Sequence, residues 1–246
     1  MIAKLTCYTI SVTLSTLGYA FIGGLLPSLV WLYFLLREEA NHPEPKRLIV
    51  LAFIAGMIAV PIALPLEQWA RAHLPDSSIF TAWALIEEML KYGMAAVLIL
   101  WRKAVDEAPD YVIYMITVAL GFAAAENMLF LLAPLIDGNM ASTIFTGDVR
   151  FLGSSLLHVL ASAAIGFSLA FSSGSRPLVR MAAAFGGLIL AVALHTAFNA
   201  LIISQGASAT LSAFFLVWTA AVVYFAVFEV LKYFQYRHLI NPQRYV

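Results

Sequence analysis

The sequence predicts an all-α, polytopic membrane helical bundle with about seven transmembrane helices. Three observations predict it. Hydrophobic residues fill 62% of the 246 positions and charged residues only 11%, where a soluble domain is about a quarter charged. The mean hydropathy is +0.89. Seven stretches are long and apolar enough to cross a hydrocarbon core of about 30 Å, which takes roughly 20 residues. The same composition excludes a disordered chain and a nucleic-acid binder, because Lys+Arg 14 and Asp+Glu 14 cancel and leave no basic excess. The single cysteine, Cys7, cannot form an internal disulfide and reads as a small apolar filler.

The first span lies within residues 8–36, with Pro27 as a kink point. Lys4, an apolar run and Gly18-Tyr19-Ala20 faintly resemble a signal peptide, but the apolar stretch continues through Leu36, so a retained helix is expected. The others cover residues 48–72, 78–101, 111–135, 150–172, 178–203 and 208–234. Charges or turn-forming clusters such as Asp137-Gly138-Asn139 separate them. No long soluble insertion interrupts the sequence, so residues 1–246 read as one membrane domain.

Orientation follows from Lys and Arg. With seven spans, Arg37, Lys46, Arg47, Arg102, Lys103, Arg176, Arg180, Lys232, Arg237 and Arg244 share one side, and Lys4, Arg71 and Arg150 the other. The positive-inside rule puts the richer side in the cytoplasm, the N-terminus outside and the C-terminus inside. Trp69, Trp101, Tyr111, Tyr233 and Tyr236 lie near span ends and read as interfacial anchors.

Four spans carry groups that a bilayer rejects. The third holds Glu87, Glu88 and Lys91, the fourth Glu126 and Asn127, the fifth His158 and Ser162, the sixth His195 and Asn199. Ionisable groups at such depth need a partner or a purpose. At 1.5 Å per residue, Glu87, Glu88, Glu126, His158 and His195 all fall about 12–15 Å below the outer surface. They therefore form one buried polar layer, nearer the outside. His195 and Asn199 share a helix face, as do His158 and Ser162. Glu87 and Glu88 diverge by about 100°, so one is expected to face the layer and the other to pair with Lys91. Gly121, Ala123–Ala125, Ala161, Gly166, Gly186, Gly187 and Ala191 let these helices pack closely.

Two imidazoles and a carboxylate in a dry pocket suit a divalent metal such as Zn²⁺, with a further carboxylate as general base. The same groups can act without metal, a glutamate and a histidine activating water while Asn199 donates to an oxyanion. Both describe amide hydrolysis within the membrane. A proton- or cation-coupled transporter uses similar groups, but no internal repeat of the kind such folds carry is visible. Bis-histidine haem ligation gains nothing from three carboxylates. A catalytically inert scaffold is the remaining alternative.

The motifs Glu87-Glu88-x-x-Lys91, Phe122-x-x-x-Glu126-Asn127, His158-x-x-x-Ser162-Ala163-x-x-Gly166 and His195-x-x-x-Asn199 occur in that order on successive spans. Pro27, Trp31, Tyr33 and Phe34 precede a loop with Glu44-Pro45. Over about residues 25–203 this resembles the PrsW family of intramembrane proteases, relatives of the CAAX prenyl proteases and the abortive-infection membrane proteases. The resemblance implies a multi-pass protein of a bacterial cell membrane. It implies site-1 cleavage of a single-span substrate such as an anti-sigma factor, with functional roles for Glu87, Glu88 and His158. Where the CAAX relatives place a histidine, this chain has Glu126, which favours the PrsW branch.

The resulting expectation is specific. Glu126, His158 and His195 bind metal or water. Glu87 is the general base, supported by Glu88 and Lys91. Asn199 orients a ligand or the oxyanion. Ser162 packs and offers a hydrogen bond to a neighbour, Asn127 bonds a neighbouring helix, and a hydrated cavity reaches the layer from the outer face.

Overall fold

The computed structural model describes residues 13–38, 42–203 and 207–240. Lys4, Cys7 and Arg244 lie outside them. The described residues form helices α1 (Leu14–Glu38), α2 (Lys46–His73), α3 (Ile79–Leu98), α4 (Ala108–Ile136), α5 (Met140–Val149), α6 (Ser155–Phe171), α7 (Pro177–Ile203) and α8 (Ala207–Ile240). A 3₁₀ turn, Asp76–Ser78, leads into α3. A π-helical segment, Arg150–Ser154, joins α5 to α6.

Six helical stretches are long and apolar enough to cross a membrane. The seventh expected span, α3, has 20 residues and carries Glu87, Glu88 and Lys91 in its middle. Its own chemistry lowers its hydropathy, because those charges are answered by neighbouring helices rather than by lipid. The fifth span also differs from expectation. Helix begins at Met140, where the Asn139 side chain caps it by accepting from Ser142 N–H at 3.0 Å, and continues to Phe171. Gly138, at φ 65°, makes the preceding turn. Helix α1 runs through Gly18–Ala20 without a break, with Pro27 inside it.

Helix α4 is the axis of the bundle. Its most apolar stretch is 72% buried, beside 78% for the Met140–Phe171 stretch and 17% for α7 and α8, and it packs against α1, α2 and α6. Its start is built for this position. Asp110 Oδ2 accepts the N–H groups of Asp106 and Glu107 at 2.9 and 2.8 Å, completing a capping box. Tyr114 donates its hydroxyl to Glu44 Oε2, tying α4 to the loop before α2. Small residues set the helix separation. A side chain at Gly56 would strike the backbone of Val118 and Phe122, and one at Gly121 the backbone of Phe53. The α2 and α4 backbones therefore touch. Gly166 meets Val112 and Tyr111 in the same way, and Gly187 meets Ile165 and Ser168, whereas Gly186 faces open space.

Two of the expected anchors are exposed near helix ends. Trp69 and Trp101 are 58% and 70% exposed. Tyr111 is instead buried and accepts a hydrogen bond from Arg180 at 2.9 Å.

Candidate active site

The buried stripe of α3 reads Ala84, Glu87, Glu88, Lys91, Ala95, a spacing that occupies one helix face. This corrects the expectation that the two glutamates must point apart. They straddle the centre line of a face enclosed by α4, α6 and α7, and their long side chains converge. Lys91 is fully buried and ties them together. Its Nζ lies 2.8 Å from Glu88 Oε1 and 3.4 Å from Glu87 Oε2. It also lies 2.8 Å from His158 Nδ1 and 4.2 Å from the ring centre of Phe122. Ser162, on α6, donates to Glu88 Oε2 at 2.9 Å, the neighbour bond expected of it.

The two histidines enter from α6 and α7. Their rings meet edge to face at 5.1 Å, and both are buried. Each has one nitrogen committed to a carboxylate. His195 Nδ1 lies 2.9 Å from Glu88 Oε1, so it donates. His158 Nε2 lies 2.8 Å from Glu126 Oε2. Because the Lys91 ammonium has no acceptor, His158 Nδ1 accepts from it and Nε2 carries the proton. The remaining nitrogens, His158 Nδ1 and His195 Nε2, turn to the same atom. They lie 3.8 and 3.9 Å from Glu87 Oε2.

This arrangement relocates Glu126. It was expected among the ligands, but it stands behind His158, outside the group of Glu87, Glu88, His158 and His195, whose donor atoms lie within 4.8 Å of one another. Glu126 Oε2 also accepts from Arg150 Nη2 at 2.6 Å. Asn127 bonds a neighbouring helix as expected, donating to Ser155 Oγ at 3.0 Å. Asn199 is half-buried, one turn beyond His195, and its side chain has no partner among the described residues.

Two residues near the site were not foreseen. Arg150 was expected only as an orientation charge, and it lies eight residues before His158 on the same continuous helical stretch. Glu67, on α2, lies within electrostatic reach of Glu87, Glu126 and Lys91, and its backbone carbonyl accepts from Trp83 Nε1 at 3.1 Å.

The described cavity does not reach the cluster from outside, as the hydrated cavity was expected to. Lys91, Glu88, His158 and His195 are sealed, whereas the side chains of Glu126 and Arg150 keep 20% and 12% exposure. That pair is the partly exposed edge of the cluster. A cavity of about 740 Å³ lies behind α6, between α1, α4 and α8, lined by Trp31, Leu160, Phe167, Trp218 and Phe228 among others. None of the cluster side chains lines it.

The donor set fits a divalent metal. A metal-binding histidine usually donates its second N–H to a carboxylate or carbonyl, which fixes the ring. Both histidines here have such a carboxylate, and their other nitrogens, His158 Nδ1, which accepts from Lys91, and His195 Nε2, flank a third carboxylate. Three carboxylates, Glu87, Glu88 and Glu126, stand against the two cations Lys91 and Arg150. A metal held at His158 Nδ1 would take the place of the Lys91 ammonium there.

A family model described as PrsW family intramembrane metalloprotease matches residues 44–230. The chain is 30% identical over 149 residues to Protease PrsW of Geobacillus kaustophilus, covering 58% of this chain and 62% of that protein. It is 26% identical over 181 residues to Protease PrsW of Bacillus subtilis, covering 72% of this chain and 79% of that one. Against the Geobacillus relative the match thus spans somewhat less than two thirds of the relative's length. No solved structure matches the chain.

Proposed function

The chain belongs to the PrsW family of intramembrane metalloproteases, and on that footing we propose that it is a membrane-embedded endopeptidase. It cuts membrane-anchored proteins near the outer face of a bacterial cell membrane. The observation that carries this reading is the convergence of two imidazoles, each tied to its own carboxylate, on one oxygen of Glu87. A structural hydrogen bond between helices needs one histidine and one acceptor, not this duplicated arrangement.

The residues divide the work. Glu88 orients His195, and Glu126 orients His158. Lys91 balances the carboxylates that burial would otherwise penalise. A divalent metal, which we take to be zinc, would be held by Glu87 Oε2, His158 Nδ1 and His195 Nε2, and supplies polarisation of the scissile carbonyl and an acidified water. Glu87 Oε1 accepts no hydrogen bond among the described residues. It is the atom that takes the proton of the attacking water and returns it to the leaving amine. Glu88 is unsuited to that step, since both its oxygens are already engaged. The free amide of Asn199 donates to the developing oxyanion.

The substrate is a single-span membrane protein, and an anti-sigma factor is the class to try first. The N-terminus lies outside and the C-terminus in the cytoplasm, which places the layer nearer the outer face. The test is cleavage of a panel of single-span substrates in proteoliposomes, with products mapped by mass spectrometry. The expected products are cut in the outer half of the span or just beyond it. Chelation abolishes cleavage and added zinc restores it. Cleavage that survives complete chelation overturns the metal assignment, and no cleavage of any substrate by folded protein overturns the protease.

A further inference from the structure

Arg150 has no part in the chemistry described so far, yet its guanidinium is one of the most completely engaged groups near the site. Nη2 donates to Glu126 Oε2 at 2.6 Å and to Ser154 Oγ at 3.0 Å. Nε donates to Asn127 Oδ1 at 2.5 Å, and the group lies 3.8 Å from the ring centre of Phe130. These partners sit on α4 and on the π-helical segment that Arg150 itself opens. We propose that Arg150 is a positioning residue, acting through Glu126 to fix the ring of His158; the inference rests on the hydrolytic site proposed above.

One carboxylate oxygen couples the guanidinium to the imidazole. Glu126 Oε2 accepts both from Arg150 and from His158 Nε2. The carboxylate has rotatable bonds of its own, and a single imidazole N–H cannot hold it in place. The guanidinium can, because its planar fork is anchored at the same time by Asn127, Ser154 and Phe130. Fixing that oxygen fixes the line from Nε2 through the ring to Nδ1, and so the direction in which Nδ1 meets Glu87. The π-helical turn contributes to the geometry. Wide turns of this kind are short, unfavourable and concentrated at functional sites, and this one carries both Arg150 and Ser154. Ser154 also lies 3.5 Å from His158 Nε2. The pair stands at the partly exposed edge of the cluster, where the Glu126 carboxylate would be free to turn if the guanidinium were absent.

A tie between α4 and α6 without any bearing on the site would make the same contacts, so the test must separate the two roles. Arg150→Met and Arg150→Lys are compared with the full-length wild type in proteoliposomes, with thermal unfolding followed in parallel. Cobalt(II) affinity, read from its visible absorption, supplies a measure independent of turnover. The expected result is a fall in kcat of about 10- to 100-fold in Arg150→Met, with a similar weakening of cobalt binding, as for other groups that orient metal-ligating histidines. KM changes by less than about twofold, because the group touches no substrate. Arg150→Lys recovers part of both losses, and guanidinium ion added to Arg150→Ala restores turnover where equal sodium chloride does not. Unchanged kcat and cobalt affinity with a lowered unfolding temperature overturn the proposal and leave the protease standing. A wild type that neither cleaves nor binds cobalt overturns both.

Discussion

Glu87→Gln lowers kcat by about 10³-fold while the protein stays folded. The magnitude is that of losing a general base beside a polarised carbonyl. The amide keeps the size and shape of the carboxylate but cannot accept the proton of the attacking water at Oε1. It also offers a poorer donor to a metal flanked by His158 Nδ1 and His195 Nε2. Stability is spared because Glu87 is the least engaged of the three carboxylates. Lys91 approaches it only to 3.4 Å, against 2.8 Å for Glu88. Glu88→Gln behaves differently, losing activity and stability together. Glu88 takes hydrogen bonds from Ser162, Lys91 and His195, and an amide nitrogen there faces donors. Single-turnover cleavage with thermal unfolding in the same detergent distinguishes the two variants. Equal activity loss with equal destabilisation in both contradicts the division of labour.

Lys91→Met produces the largest loss of stability. The ammonium is fully buried and serves Glu87, Glu88 and His158 at once. Removing it leaves two adjacent carboxylates in a dry pocket without their counter-ion, which costs about 3–5 kcal/mol for a broken buried pair. The methionine fills much of the volume, so the loss is electrostatic rather than a cavity effect. Reversible unfolding in mixed micelles measures it. Zinc recovers part of the loss by mass action, since it binds only the assembled donor set. A variant as stable as wild type without metal contradicts the placement of Lys91 as the cluster's internal cation.

Much of this site was legible in the sequence, for a definable reason. Depth in a membrane helix is a simple function of residue number, so the coincidence of Glu87, Glu88, Glu126, His158 and His195 in one layer could be read from spacing. Rotation about each helix axis could not. The sequence placed Glu87 and Glu88 100° apart, but whether the buried face lay over one, the other or the line between them depended on how many neighbours enclosed α3. Helices α2, α4, α6 and α7 all pack against it, and both side chains turn inward. The roles of Glu126 and Glu88 were hidden for a related reason. Which ring nitrogen a carboxylate meets is set by helix positions to within an ångström, and only then does a ligand differ from a group that holds a ligand. Arg150 was missed because its reach depends on a long side chain and on the π-helical turn beneath it, neither of which leaves a periodic signal. In the fold, hydropathy found the spans, yet it ranks α3 lowest because the site's own charges sit there. The Gly186-Gly187 pair shows the remaining limit. Both are small, but only Gly187 meets a neighbouring backbone.

The central chemical claim is that His158 and His195, each held by its own carboxylate, converge with Glu87 on a single metal. X-ray absorption at the zinc edge of the zinc-loaded protein tests it most directly. The account predicts a four-coordinate shell with two imidazoles and carboxylate or water oxygen at about 2.0–2.2 Å, one imidazole being lost in His158→Ala. An oxygen-only shell, or a spectrum that His158→Ala leaves unchanged, would contradict it.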